Sequence, residues 1–130
     1  MQIRELSLKE LQSAYEVVRE LYEDLSYQEF EDLIYDMRHI DYKMIGIFER
    51  ESLISYAGVA VSTDLIYKRH LRVYEFITAE PYESDKYDAL LYEYLVDYAK
   101  MGMCGSLVFS EDGICTEPLE KDTLYVQRVS

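Results

Sequence analysis

The 130-residue sequence has no tryptophan, two prolines, five glycines, two cysteines and half as many basic residues as acidic ones. Each shortage excludes something. With so little proline and glycine, no repeat, linker or low-complexity stretch interrupts the chain, and residues 1–130 read as one domain. The cysteines, Cys104 and Cys115, stand in no metal-ligand spacing and sit among apolar or small residues, so they read as buried free thiols and no metal site is expected. Thirteen bases against 26 acids leave a net charge of −13, which argues against nucleic acid or an anionic membrane as partner. The same charge suits a cationic partner, a small amine or a basic peptide, and it also serves solubility. No stretch nears the roughly 20 apolar residues that cross a bilayer, and the N-terminus lacks a signal-peptide pattern. A cytoplasmic protein is expected.

What is present is apolar residue in quantity, 49% of the chain, enough for a core without disulfide or metal staples. Fourteen tyrosines take the aromatic share, and many fall at positions where a ring packs while its hydroxyl reaches water or a partner. Met1–Leu6 reads as a short strand. Ser7-Leu8-Lys9-Glu10 has the form of a capping box, and Leu11, Tyr15, Val18, Leu21, Tyr22 and Leu25 follow at helical spacing, which predicts a helix over Leu8–Leu25. A second capping box, Ser26-Tyr27-Gln28-Glu29, opens a helix running to about His39. The period then changes. Met44–Phe48, Leu53–Val61 and Leu71–Ala79 read as three antiparallel strands joined by hairpins. Pro81 ends the third, Tyr87–Lys100 forms another helix with Gly102 at its end, Ser106–Phe109 is an apolar strand, and Thr123–Val129 a last one.

Several of these segments carry a resemblance. Glu75-Phe76-Ile77-Thr78-Ala79-Glu80-Pro81 looks like the fourth strand of the GCN5-related N-acetyltransferases, which usually reads Glu-x-Leu-x-Val-x-Pro. Leu90-Leu91-Tyr92-Glu93-Tyr94-Leu95 and Tyr98-Ala99-Lys100 resemble that family's third helix, and Leu124–Arg128 its closing strand. The resemblance covers nearly the whole chain. It implies an α/β (α+β) acyl-CoA N-acyltransferase fold, a mixed, mostly antiparallel sheet flanked by helices. It implies acetyl-CoA as co-substrate, with the pantetheine arm against Ile77, Thr78 and Ala79 and the phosphates near Ser84, Lys86 and Tyr87 before the third helix. It also implies that Glu75 is the general base that deprotonates the amine, usually through water.

The sequence departs from that pattern in two places. The family's pyrophosphate loop reads Arg/Gln-x-x-Gly-x-Gly/Ala, so that backbone N–H groups converge on the phosphates. Glu83-Ser84-Asp85-Lys86-Tyr87-Asp88 stands there instead, without glycine, and Asp85 or Asp88 is expected to cap the helix itself. Between Ser110 and Asp122 the 13 residues contain Gly113 and Pro118 but no Ala-x-x-x-Tyr pattern, so no general-acid tyrosine is assigned; Tyr125 falls in the last strand. By alternation Glu75 shares a strand face with Val73, Ile77 and Ala79, where it either serves a site or pairs with Arg72, Lys43 or another base. His39 and His70 are expected in turns at the surface.

Two functions follow. One is an N-acetyltransferase moving acetyl from acetyl-CoA to an amine by direct attack. The other is a catalytically inactive binding or interaction module on the same fold, whose open cleft or sheet edge would be covered in a homodimer.

Overall fold

The computed structural model describes residues 1–110 and the backbone of 124–128. Six strands form one sheet in sequence order: β1 (Gln2–Glu5), β2 (Lys43–Glu49), β3 (Ser52–Asp64), β4 (Lys68–Thr78), β5 (Ser106–Ser110) and β6 (Leu124–Arg128). All neighbours are antiparallel except β4 and β5. That parallel step needs a crossover, and α3 (Ser84–Met101) supplies it. The helices α1 (Leu11–Val18) and α2 (Tyr27–Met37) connect β1 to β2. Mixed sheet and flanking helices are the architecture expected from the sequence.

Alternation along the strands divides the core into two layers. Ile45, Ile47, Ala57, Val59, Leu71, Val73 and Leu107 pack with Leu91, Leu95 and Ala99 of α3. On the other face Met44, Phe48 and Tyr56 meet Leu11, Ala14, Val17 and Val18 of α1 and Phe30 and Ile34 of α2.

Both capping boxes form. Ser7 Oγ accepts from the Lys9 amide while Glu10 accepts from the Ser7 amide, and Ser26 and Glu29 satisfy each other's backbone N–H groups in the same way. Glu10 is further held by Arg4 at 2.7 and 3.0 Å, and this hydrogen-bonded ion pair lowers its carboxyl to about 2.

Two expectations change. The first helix is shorter than its apolar spacing predicts: Leu8–Glu10 is a 3₁₀ turn, and the α-helix stops at Val18. Beyond it the bonds tighten to Glu20 N–H on Val17 O and Leu21 N–H on Val18 O, and the Tyr15 hydroxyl donates to the Leu25 carbonyl at 2.7 Å, which folds the segment back. His70 is fully buried, because β4 begins at Lys68 and takes it into the sheet; its Nδ1 lies 2.9 Å from the Lys68 carbonyl. His39 is exposed as expected. Cys104 is a buried free thiol, whereas Cys115 and the segment with Gly113 and Pro118 lie outside the described residues. Among the described residues no cluster could hold a metal ion and no helix is long and apolar enough to cross a membrane.

Candidate active site

The site begins with an irregularity in β4. Val59 pairs with Val73 and Gly58 with Glu75, so Tyr74 is an extra residue on β4 and forms a β-bulge. A bulge reverses the facing of every residue after it. Val73 faces α3, but Tyr74, Ile77 and Ala79 pack on the α1/α2 side, and the Glu75 carboxylate points there too. The alternation that grouped Glu75 with Ile77 and Ala79 thus holds, and only its grouping with Val73 fails, because the bulge lies between them.

Among the described residues Glu75 finds no base. Arg72 pairs with Asp64 at 3.8 Å and Lys43 with Asp41 at 3.3 Å and Glu5 at 3.9 Å, so neither cation named from the sequence reaches it. Its partner is the Tyr42 hydroxyl, which donates to the carboxylate and lies 2.7 Å from the Tyr56 hydroxyl. Burial pushes the Glu75 carboxyl up to about 7, with the Tyr42 bond pulling the other way. Burial, with the nearby Glu75 charge, also raises both phenols well above their ordinary value, so they remain neutral donors.

The space for this contact comes from Gly58. A Cβ at that position would collide with the Tyr42 hydroxyl and a Glu75 carboxylate oxygen. Tyr42 and Tyr56 were not singled out in the sequence, where they are two tyrosines among 14. The signal that could have found them is Gly58, a glycine inside an otherwise apolar strand, which marks a close approach.

Above Glu75 and Tyr42 opens a cavity of about 640 Å³, walled by the end of α1, the α1–α2 segment and α2. Val18, Leu21, Leu25, Phe30, Ile34 and Met37 supply its apolar surface. The early stop of α1 places Leu21 and Leu25 there rather than in a longer helix stripe.

A second feature adjoins Glu75 on the sheet edge. β4 pairs with β5 only over Leu71–Val73, although it continues to Thr78. Among the described residues nothing pairs with the β5 side of β4 beyond the bulge. The Ala79 amide donates to the Ile54 carbonyl, and by the alternation of an antiparallel ladder Ile77 also turns its backbone groups toward β3. Phe76 and Thr78 turn theirs to the open edge. Of the three β4 residues carried over by resemblance, Thr78 thus faces that edge with its backbone. Its hydroxyl donates to Asp88 at 2.7 Å and contacts Ser55 Oγ.

The N-terminus of α3 lies next in the chain. No side chain caps it: the N-cap is Glu83, and Asp88, expected as a cap, is held by Thr78 instead. The first-turn amides of Ser84, Asp85 and Lys86 precede the intrahelical ladder, whereas the Tyr87 amide donates to the Glu83 carbonyl at 3.3 Å. The Tyr87 side chain is buried, its hydroxyl on Glu49 at 2.9 Å, and the Lys86 ammonium lies 5.1 Å from its ring centre.

The fold matches solved structures of N-acetyltransferases. An aminoglycoside N-acetyltransferase, AAC(6')-Iy, in complex with CoA superposes with a TM-score of 0.75 at 9% identity, over 95% of this chain and 92% of that one. The PaiA N-acetyltransferase of Thermoplasma acidophilum, also in complex with coenzyme A, gives 0.70 at 13% identity over 98% of both chains. Glucosamine-6-phosphate N-acetyltransferase of Arabidopsis thaliana gives 0.67 at 12% identity, over 93% and 95%. No protein-family model matches the sequence, and no curated protein sequence does either. The chain has the fold of the GCN5-related N-acetyltransferases. At these identities the likeness is one of fold, and the chemistry has to come from the site.

Proposed function

We propose that the protein is an acetyl-CoA-dependent N-acetyltransferase in which Glu75 is the general base. The observation that carries this reading is the position of Glu75. Its carboxylate lines the cavity, and the residue stands at the start of the open β4 edge, so the base lies where a space for an acceptor adjoins a strand edge suited to an acyl donor. A carboxyl near 7 also has the affinity a base needs to take a proton at neutral pH and release it again.

The chain's own groups fit acetyl-CoA along the arm. Phe76 and Thr78 offer free backbone groups to the amides of pantetheine, as an added strand would meet them. At the phosphate end the uncapped amides of Ser84, Asp85 and Lys86 and the Lys86 ammonium favour an anion, while Glu80, Glu83 and Asp85 oppose it. When bound, acetyl-CoA supplies an acetyl thioester open to direct attack by an amine. Glu75 accepts the proton that the ammonium form of the acceptor must lose, directly or through one water. Tyr42 holds the carboxylate in place, and Tyr56 holds Tyr42.

The test is an acetyl-CoA titration by calorimetry, followed by turnover of wild type and Glu75→Gln with a panel of amines. Binding with turnover in wild type and its loss in Glu75→Gln is the expected result. A failure of millimolar acetyl-CoA to bind would remove the transferase reading and leave the interaction module, whose homodimer sedimentation can test.

A further inference from the structure

The cavity is unusual for an amine site in what its wall omits. It has acids at the floor and rim, Glu75 below and Glu23, Asp24 and Glu29 near the mouth, and among the described residues no lysine, arginine or histidine lines it. Between floor and rim the surface is mostly apolar, from Val18, Leu21, Leu25, Phe30, Ile34 and Met37, with Tyr22 and Tyr42 as its hydroxyl-bearing residues. A sugar needs polar partners along its whole length, and a polyamine would set its inner ammonium against this mostly apolar wall even where the acids at floor and rim pair its ends, which is unfavourable. A phosphate or carboxylate on the ligand would meet only acids.

We propose that this cavity binds a small primary monoamine with a bulky apolar body, aromatic or branched alkyl, and with no anionic group. The ammonium goes to Glu75 and the body fills the space between α1 and α2. At about 640 Å³ the cavity lies within the usual range for small-molecule sites and exceeds the needs of a single aromatic ring with a short amine tail. The proposal deepens the transferase reading by naming its acceptor, but the binding it describes does not depend on acyl transfer.

Binding of 2-phenylethylamine is measured by calorimetry on the full chain, with and without CoA, beside 2-phenylethanol, phenylalanine, spermidine and an amidated peptide beginning with phenylalanine. The amine is expected to bind at least about tenfold more tightly than the alcohol, which lacks the charge, and than phenylalanine, which adds a carboxylate. Leu33 borders the cavity from α2 and is 49% exposed, so charge can be added there with little change in packing. Leu33→Arg should weaken the amine by about tenfold and leave the alcohol nearly unaffected. Spermidine or phenylalanine binding as well as the amine overturns the proposal, as does no effect of Leu33→Arg, no amine binding in either condition, or tighter binding of the peptide. Amine binding without acetyl-CoA binding would sink the transferase reading and leave this one standing.

Discussion

A carboxylate that borders a mostly apolar cavity and has only phenols beside it is held against its own preference for water. The carboxyl of Glu75 is raised from 4.5 to about 7, so the folded protein favours its protonated form. The stability this contributes is fully present below about 4.5 and is lost as the pH rises through about 7. Glu75→Gln, neutral at every pH, should therefore match wild type near pH 4 and exceed it in unfolding free energy at pH 8 to 9, by as much as ~3 kcal/mol, with a higher melting temperature there. A Glu75→Gln protein no more stable than wild type at alkaline pH would mean that the carboxylate is well solvated. Turnover should move the opposite way, falling about 100-fold or more in the same variant. The Tyr42 hydroxyl acts on the same titration. Its hydrogen bond holds the carboxyl below where burial alone would put it, so Tyr42→Phe should shift the acidic limb of the rate profile to higher pH. An unmoved or lowered limb would exclude Glu75 as the titrating base. Gly58 belongs to the same unit, since any side chain at that position takes the space in which the two groups meet.

At the scale of elements, what the sequence made legible was whatever had a local cause. Ser7 with Glu10 and Ser26 with Glu29 both form the capping boxes their spacing announces, because cap and partner lie three residues apart. The strands β2, β3 and β4 follow the apolar runs for the same reason. Two features had no local signature. The apolar spacing of Leu21, Tyr22 and Leu25 continues that of α1 without a break, yet these residues wall a cavity after the helix has ended; nothing in a helical period distinguishes the two uses. The bulge at Tyr74 depends on how two strands register, and it decides which way Glu75 points. Glu75 was thus readable as a candidate base from the segment Glu75–Pro81, but its environment was not. The loop before α3 yields a prediction of its own. Glu83 and Asp85 stand at a helix N-terminus that no side chain caps, where each acid near a phosphate opposes binding by about 1 kcal/mol. Replacing both with Gln and Asn should tighten acetyl-CoA binding by roughly tenfold or more, read by calorimetry. Unchanged affinity would place the phosphates away from that turn.

Across the whole molecule, the excess of 13 negative charges acts on both ligands of the proposed reaction, and with opposite sign. The cavity mouth carries Glu23, Asp24 and Glu29, and a neighbouring groove carries Glu16, Glu20, Glu23 and Glu80 against the single base Arg19. Such a field draws a cationic amine toward Glu75 and repels the phosphates of CoA. Neither effect reaches far in salt, because screening confines exposed charges to about 10 Å at 0.1 M. Raising the ionic strength should therefore weaken the amine and, over the same range, tighten acetyl-CoA, giving binding constants with slopes of opposite sign. A nonspecific acidic surface without a directed site would give the first slope but not the pair, since acetyl-CoA would then have no bound state to gain. Calorimetric titrations of each ligand separately, between low and physiological salt, measure the two slopes. Acetyl-CoA affinity that falls with salt would mean that basic groups hold its phosphates after all, with Lys86 and the α3 amides outweighing Glu80, Glu83 and Asp85.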